Sequence, residues 1–195
     1  LRPDADAGNS HEDGRTNGLW GCVMAGGWGN EWYFGYRHAH SDLTCQDFRS
    51  RDRWWDACRH LLRFFNDNEI PFWEMNNADD ATSAADDYCL AKTCQAYVVY
   101  LKNGGTVELD LGDLPFTYDV RWFDPRTGGC LKIGTELTVK GPGVKSIGHP
   151  PSEPHKDWAA LVRTDSPLPP GWKEKPRAAS SAPSPAPVHV RAGEM

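Results

Sequence analysis

The stretch from residue 88 to residue 163 most constrains the fold, because short apolar segments with a period of two follow one another there without helical patterns between them. Successive side chains of a strand point to opposite faces, so a period of two predicts strands. Turn sequences such as Asn103-Gly104-Gly105 and Gly141-Pro142-Gly143 separate the segments. The predicted strands are Tyr88–Ala91, Gln95–Leu101, Thr106–Leu111, Phe116–Phe123, Leu131–Ile133, Glu136–Val139 and Trp158–Arg163. Short strands at this spacing favour a small antiparallel β-sandwich.

A helical period precedes this region. Ser10 and Asp13 have the spacing of a capping box, and apolar stripes four residues apart predict a helix over residues 11–25. A second, longer amphipathic helix is predicted over residues 45–67, and a short strand over residues 30–34 lies between the two helices. The order helix–strand–helix is typical of the closing turn of a (β/α)8 barrel.

One strand cannot form a sheet, and the two helices need a surface on which to bury their apolar stripes. We therefore expect residues 1–75 to pack on something that precedes Leu1 or on a partner chain. The predicted fold class is α+β, with the last helix–strand–helix of a (β/α)8 barrel followed by a small antiparallel β-sandwich. The predicted domains are an incomplete barrel end over 1–75, a connector over 76–87, the sandwich over 88–165 and a disordered Pro-rich tail over 166–195.

Charge and composition exclude several functions. The net charge is −6 and no block of Lys and Arg stands out, so nucleic acid is a poor partner. The sequence contains no run of about 18 apolar residues, so we predict no transmembrane helix. The six cysteines form no CxxC motif, which disfavours a zinc site. Cys89 and Cys94 are close enough in sequence to be joined across a turn, but buried, reduced thiols are the favoured interpretation. Nine tryptophans are many for this length, so we expect some rings to face a ligand or a domain interface.

The loop after the predicted strand carries the candidate site, because ligands of (β/α)8 barrels meet the C-terminal ends of the strands. Tyrosine rings suit the apolar face of a sugar, and His or Asp side chains can hydrogen-bond its hydroxyls. Glu31 would bind the substrate through its carboxylate, and the alternative is a buried structural carboxylate paired with an arginine. The predicted substrate-binding residues are Glu31, Tyr33, Tyr36, His38, His40 and Asp42.

The alternating spacing of His38, His40 and Asp42 also has the look of a metal triad. No further ligand set is evident in the sequence, so hydrogen bonding is the favoured role. We predict no metal and no other cofactor.

Several motifs resemble one bacterial family of glycoside hydrolases. The segment AGGWGNEWYFGYRHAHSDLTCQDFRSRDRWWD (residues 25–56), followed by FFNDNEIPFWEM (64–75), resembles apiosidase-like (β/α)8 enzymes of the DUF4038 and DUF5060 type. The later motifs YCLAK, AYVVYLKNGGTVELDL, YDVRWFDPRTGG and DWAALVR resemble the C-terminal sandwich of those proteins. That sandwich carries the label "putative collagen-binding domain of a collagenase".

The resemblance implies a division of labour within a longer protein. In related barrels the catalytic carboxylates belong to the fourth and seventh strands, so they are expected upstream of this chain. It also implies that Glu31 and its loop lie on the last strand, and that the parent is secreted or periplasmic and acts on a polysaccharide or oligosaccharide. This chain would then be a C-terminal fragment, inactive alone, of a protein that cleaves O-glycosidic bonds. The alternatives are a non-catalytic carbohydrate- or collagen-binding sandwich, and a packing domain without a ligand.

Overall fold

The structure, a computed structural model, describes residues 10–30 and 52–174. The helices of this part are α1 (His11–Asp13), a π-helical stretch (Gly14–Trp20), α2 (Gly21–Met24) and α3 (Asp52–Asp67). Single 3-10 turns lie at Phe72–Glu74 and Asp79–Ala81. The strands are β1 (Asn76–Asn77), β2 (Asp87–Lys92), β3 (Ala96–Leu101), β4 (Glu108–Asp110), β5 (Thr117–Phe123), β6 (Thr138–Lys140), β7 (Val144–Ser146) and β8 (Trp158–Arg163). The predicted α+β class is confirmed.

The first helical segment, from α1 through α2, begins at the predicted capping box. The Ser10 hydroxyl accepts the amide hydrogen of Asp13, and the Asp13 carboxylate accepts the amide hydrogen of Ser10. The segment then passes through a π-helical stretch, which a repeat of apolar residues does not reveal. Gly14 lies in this stretch, where a Cβ atom would stand 1.8 Å from the Trp54 ring, so only glycine permits this approach of α3.

Two antiparallel sheets form the β-sandwich. The large sheet has the strand order β1-β2-β3-β8-β5-β6, and the small one pairs β4 with β7. Buried side chains from both sheets fill the space between them, including Tyr97, Trp122 and Trp158 of the large sheet and Leu109 of the small one. The sequence-predicted sandwich is therefore present, with its core between the sheets.

The opposite face of the large sheet is covered by the helices. Trp20 stacks on Tyr100 of β3 with ring centroids 4.8 Å apart and planes 7° apart. Phe64 and Phe65 of α3 join this second core, together with Phe123 at the end of β5.

This second core corrects one expectation. The apolar stripes of the two described helices do not need a surface from outside the chain, because they pack on the back of the sandwich. The surface that they cover is formed by strands further along the chain, which the local pattern around residues 30–34 does not indicate. Residues 31–34 themselves lie outside the described residues.

Strand predictions and structure agree best where the apolar run is longest. Trp158–Arg163 matches β8 to the residue, whereas Leu131–Ile133 contributes only an isolated bridge between Lys132 and Trp122. The segment predicted over Thr106–Leu111 shrinks to β4. Two short polar strands, β1 and β7, have no apolar alternation and were not predicted.

The predicted connector and the first residues of the predicted tail both contact the sandwich. The segment 76–87 contains β1, which pairs with β2 at the edge of the large sheet. In the predicted tail, the indole of Trp172 donates a hydrogen bond to Asp113 at 3.2 Å, and the Thr93 hydroxyl bonds the carboxylate of Glu174. Trp172 and Glu174 thus contact the sandwich. Residues 175–195 lie outside the described residues.

Candidate functional site

The six predicted substrate-binding residues Glu31, Tyr33, Tyr36, His38, His40 and Asp42 lie outside the described residues. Their role stays a prediction. The structure describes the residues on either side of the segment that contains them. The segment leaves after Asn30, just beyond α2, and it returns at Asp52, the first residue of α3.

The residues just before the segment, 26–30, are held against α2 by local hydrogen bonds. The Gly27 amide donates to the Cys22 carbonyl at 2.9 Å, and the Cys22 thiol donates to the Gly29 carbonyl at 3.2 Å. Gly26 has a φ of +88°, which lets the chain reverse at the helix end as a left-handed cap does. Between them Trp28 meets Phe72 edge to face, with ring centroids 5.6 Å apart.

A cleft of about 320 Å³ lies beside the start of α3, where the segment ends. This cleft lies between α1, the first turns of α3 and the turn that follows β5. Its lining is mostly charged: His11, Glu12, Arg15, Arg53, Asp56, Ala57, Pro125 and Arg126. Burial, and then the positive charge of Arg53, lower the pKa of His11 below its usual value.

The turn after β5, residues 124–129, brings the sandwich to this cleft. The Asp124 carboxylate accepts hydrogen bonds from the Arg126 amide at 3.0 Å and from the Arg126 guanidinium at 2.8 and 3.0 Å. Burial would raise the pKa of Asp124, but these bonds lower it below its usual value. Gly128 has a φ of +67°, and a Cβ atom there would stand 2.5 Å from the His60 ring of α3. The sequence DPRTGG is therefore a rigid turn shaped to meet the helix.

Arg126 has further partners that fix it in place. Its guanidinium pairs with Glu153 at 3.0 Å and lies 5.4 Å from the centre of the Trp158 ring. The ammonium group of Lys132 lies 5.3 Å from the same ring centre. Two cations thus contact one buried indole, an arrangement that stabilises both charges electrostatically.

A second ionic cluster joins the first helical segment to the sandwich. The Arg15 guanidinium makes two hydrogen bonds to the Asp157 carboxylate, at 2.9 and 2.8 Å, and the Tyr100 hydroxyl donates to the same carboxylate at 2.8 Å. Burial would lower the pKa of Arg15, but Asp157 raises it above its usual value, and burial beside this carboxylate raises the pKa of Tyr100. Glu12 and Arg15 line both the first cleft and a neighbouring one of about 290 Å³.

Arg15, Asp157 and Tyr100 connect the first helical segment to the sandwich, and we call them the interlayer lock. A general acid of glycoside hydrolysis needs a carboxyl group whose pKa is raised. Asp124 has the opposite shift, and Asp157 is held by an arginine and a tyrosine. Asp87 does have a pKa raised to about 6, by burial first and then by the charge of Asp86. It lies at the start of β2, however, and lines neither cleft.

One feature of the sequence does indicate this lock. Arg15 shares a four-residue spacing with Leu19 and Val23, and both of these are buried. A charged residue within an apolar stripe indicates a buried partner. Asp157 stands directly before the first residue of β8, which is where such a partner lies.

The part of the chain that the structure describes contains neither a metal-ligand cluster nor a disulfide. Across residues 10–30 and 52–174, no group of three or more His, Cys, Asp and Glu side chains is placed to hold a metal ion. No disulfide joins the five cysteines at positions 22, 58, 89, 94 and 130. In the same ranges, none of the helices has the length and apolar character needed to cross a membrane.

Comparison with protein families matches residues 76–163 to the family described as "Putative collagen-binding domain of a collagenase". The match begins at β1 and ends at the last residue of β8, so it covers the sandwich. No curated protein sequence matches this chain significantly.

Two solved structures share the fold. One is described as a glycoside hydrolase, with a TM-score of 0.59 and 17% identity over 81% of this chain and 38% of that protein. The other is a family 5 glycoside hydrolase from Bacteroides vulgatus ATCC 8482, with a TM-score of 0.59 and 16% identity over 86% of this chain and 39% of that protein. This chain therefore spans about two fifths of the length of each structure it matches.

Proposed function

We propose that this chain is the C-terminal part of a glycoside hydrolase that cleaves O-glycosidic bonds of a polysaccharide. One observation carries the proposal: the likeness to two glycoside hydrolases extends over 81% and 86% of the chain. A likeness of the sandwich alone would cover only residues 76–163. The similarity therefore includes helical residues that precede the sandwich. This supports a parent protein in which the helical region and the sandwich form one structural unit.

In this proposal the segment between Asn30 and Asp52 contacts the sugar. Tyr33 and Tyr36 would offer aromatic faces to a sugar ring, while His38, His40 and Asp42 would bond its hydroxyls. Glu31 would orient the substrate from the base of the segment. Support comes from the framework, because the lock around Arg15 and Asp157 fixes the helix that leads into this segment.

Hydrolysis itself would be carried out by carboxyl groups that lie upstream. Glycoside hydrolysis uses two carboxyl groups on opposite sides of the scissile bond, about 5–9.5 Å apart. Those groups normally come from different barrel strands. In the apiosidase-like group named above they belong to the fourth and seventh strands. We further propose that the parent acts outside the cytoplasm, where polysaccharide substrates are met.

The test compares the full-length protein with this chain alone on a panel of plant and bacterial glycans, scored by released reducing ends. We expect turnover by the full-length protein and none by the chain. The variants Glu31→Gln and Tyr33→Ala should raise KM in the full-length protein, whereas Asp119→Asn, on the solvent face of β5, should change nothing. Clear turnover by the chain alone would contradict the proposal.

A second candidate function is a non-catalytic binding module, and the family match over residues 76–163 favours it. The ligand would be a polysaccharide or, following the printed family description, collagen. Pull-down of the whole chain on insoluble polysaccharides and on fibrillar collagen separates these ligands. Retention on collagen alone would favour the module, and retention on neither would indicate that the sandwich only supports the neighbouring domain.

A further inference from the structure

The segment that follows β8 crosses one end of the sandwich. The Thr164 amide donates to the Gln95 carbonyl at 2.9 Å, which is the last backbone hydrogen bond to the sandwich in the described part of the chain. The prolines at positions 167, 169 and 170 then lack the amide hydrogen that a paired strand needs, and the chain turns at Gly171, which has a φ of +74°. Residues 165–174, which we call the strap, are therefore attached to the sandwich through side chains.

Two side chains of the strap are anchored on either side of one cysteine. The Trp172 indole donates a hydrogen bond to the Asp113 carboxylate at 3.2 Å, and the Thr93 hydroxyl donates to the carboxylate of Glu174. Cys94 follows Thr93 in the turn between β2 and β3, and its sulfur lies 3.9 Å from the Asp113 oxygen that accepts the indole. A single carboxylate oxygen thus connects the strap with the Cys94 thiol.

Contacts within the sandwich set the position of Cys94. Its φ is +62°, which is uncommon for a residue other than glycine. Two core tyrosines hold this conformation, because the Cys94 amide donates to the Tyr97 hydroxyl at 2.9 Å and the Tyr118 hydroxyl donates to the Cys94 carbonyl at 3.2 Å. Gly112 lies against the thiol, since a Cβ atom there would stand 2.6 Å from the sulfur. Release of the strap would therefore leave the thiol where it is.

The thiol and the strap differ in how firmly they are held. Cys94 is fully buried, and burial raises the pKa of its thiol, although the backbone amides of Asp113 and Leu114 act in the opposite direction. A buried thiol that resists ionisation reacts slowly, because the thiolate is the reactive form. The strap, by contrast, contributes no residue to either buried core. Segments with few buried apolar contacts open at a lower free energy than the core strands do.

We propose that the strap is a reversible lid on the Cys94 thiol, which opens while the sandwich stays folded. The contact between Trp172 and Asp113 holds the lid shut, and Glu174 secures its far end. In the open form the thiol meets solvent from a position that Tyr97 and Tyr118 still fix. The lid requires no sugar and no catalytic group, so it goes beyond the proposed function and is tested without a substrate.

The experiment measures alkylation of individual cysteines by N-ethylmaleimide in the full-length protein, read by mass spectrometry of the labelled peptides. Cys89 is the internal reference, because it is also fully buried but lies within β2, where labelling requires the sheet to unfold. We expect Cys94 to react faster than Cys89 in the unaltered protein. Trp172→Ala should accelerate Cys94 by about tenfold or more and leave Cys89 unchanged, because it weakens the lid alone.

Further variants separate the lid from a general loss of structure. Asp113→Asn should change the Cys94 rate less than Trp172→Ala does, because the amide oxygen still accepts the indole hydrogen bond. Glu174→Ala should accelerate Cys94 by a smaller factor, since Trp172 stays anchored. Trp55→Ala, on α3, is the matched loss of a tryptophan elsewhere and should alter neither rate. Circular dichroism melting shows whether each variant is folded.

Three results would overturn the lid. Equal rates for Cys89 and Cys94 in the unaltered protein would mean that the Cys94 thiol is reached only by global unfolding. An unchanged Cys94 rate in both Trp172→Ala and Glu174→Ala would mean that the strap does not cover the thiol. A parallel rise of the Cys89 and Cys94 rates in Trp172→Ala would mean that the strap stabilises the whole sandwich and does not open by itself.

Discussion

The two faces of the six-stranded sheet bury many of the same strands against different partners. One face meets the two-stranded sheet β4-β7, and the other meets the first helical segment and α3. Tyr97 and Val99 of β3 point to the small sheet, while Val98 and Tyr100 point to the helices. Strand β3 is thus buried throughout its length, as the middle layer of a three-layer unit.

The strand sequences differ according to how many of their faces are covered. Strands β3 (AYVVYL) and β8 (WAALVR) are nearly continuous apolar runs, which is typical of strands covered on both faces. Strand β5 (TYDVRWF) alternates polar and apolar residues, and its polar positions are exposed or partly exposed. The helical layer therefore covers the centre of the sheet and leaves most of β5 open to solvent on that side.

The faces also treat a buried carboxylate differently. Asp157, next to the helix-covered face, is 4% exposed and is neutralised by Arg15 from the first helical segment. Asp87 begins β2 in the positions that alternate toward the small sheet, and it is 6% exposed. No basic group raises the stability of its charged form among the residues that the structure describes. The first helical segment supplies Arg15 as the counter-ion of Asp157, whereas the small sheet supplies no counter-ion for Asp87 among the described residues.

The largest expected effect comes from removing one layer. A chain reduced to residues 76–163 keeps both sheets but exposes Val98, Tyr100, Phe123 and Leu161 to water. We expect it to aggregate or to give the spectrum of a molten state, because a contiguous apolar face of this kind is not tolerated in a monomer. The measurement is dispersion in a proton–nitrogen correlation spectrum, with residues 10–174 as the control. A well-dispersed spectrum from residues 76–163 would show that the two faces fold independently.

The sequence predicted the sandwich but not the layer behind it. Period two and turn residues were sufficient for most strands, since those signals are local. Which surface the helices cover depends on contacts such as Trp20 with Tyr100, which lie 80 residues apart in the sequence. The continuous apolar runs of β3 and β8 indicate strands covered on both faces, but they do not indicate which element covers them. Residue types alone indicate the candidate loop, whereas the pairing of Arg15 with Asp157 depends on a fold that brings together residues far apart in the sequence.

Next in size is the loss of a single ring from the helical face. Trp20→Ala removes a fully buried indole that stacks on Tyr100, and we expect a loss of about 3–5 kcal/mol in the free energy of unfolding. Trp122→Ala is the matched variant on the other face and should lose a similar amount. Trp55→Ala, with 40% of its surface exposed, should lose less than about 1 kcal/mol. A small loss for Trp20→Ala alone would mean that the helices are a loosely attached layer.

A smaller effect is expected from breaking the lock between the layers. Arg15→Met removes the ion-pair partner of the buried Asp157 carboxylate, to which the Tyr100 hydroxyl still donates, and we expect a loss of about 2–4 kcal/mol by urea unfolding. The double variant Arg15→Met with Asp157→Asn should lose less than the single variant, because no buried charge remains unpaired. Strict additivity of the two substitutions would contradict a direct interaction between these side chains.

The smallest effect, and the only gain, concerns the unpaired carboxylate of the other face. The pKa of Asp87 is raised from 3.8 to about 6, so the folded state holds this proton more tightly than the unfolded chain does. The contribution to stability is full below pH 3.8 and is lost as the pH rises through about 6. Asp87→Asn should therefore stabilise the protein at pH 8 by about 1–2 kcal/mol, since solvent screens part of the penalty, and have little effect at pH 4. Chemical denaturation at both values measures this difference, with Asp119→Asn on the solvent face of β5 as the control. An equal change at both values would mean that the carboxylate of Asp87 ionises normally in the fold, and that the small-sheet face accommodates a charge as readily as the helical face.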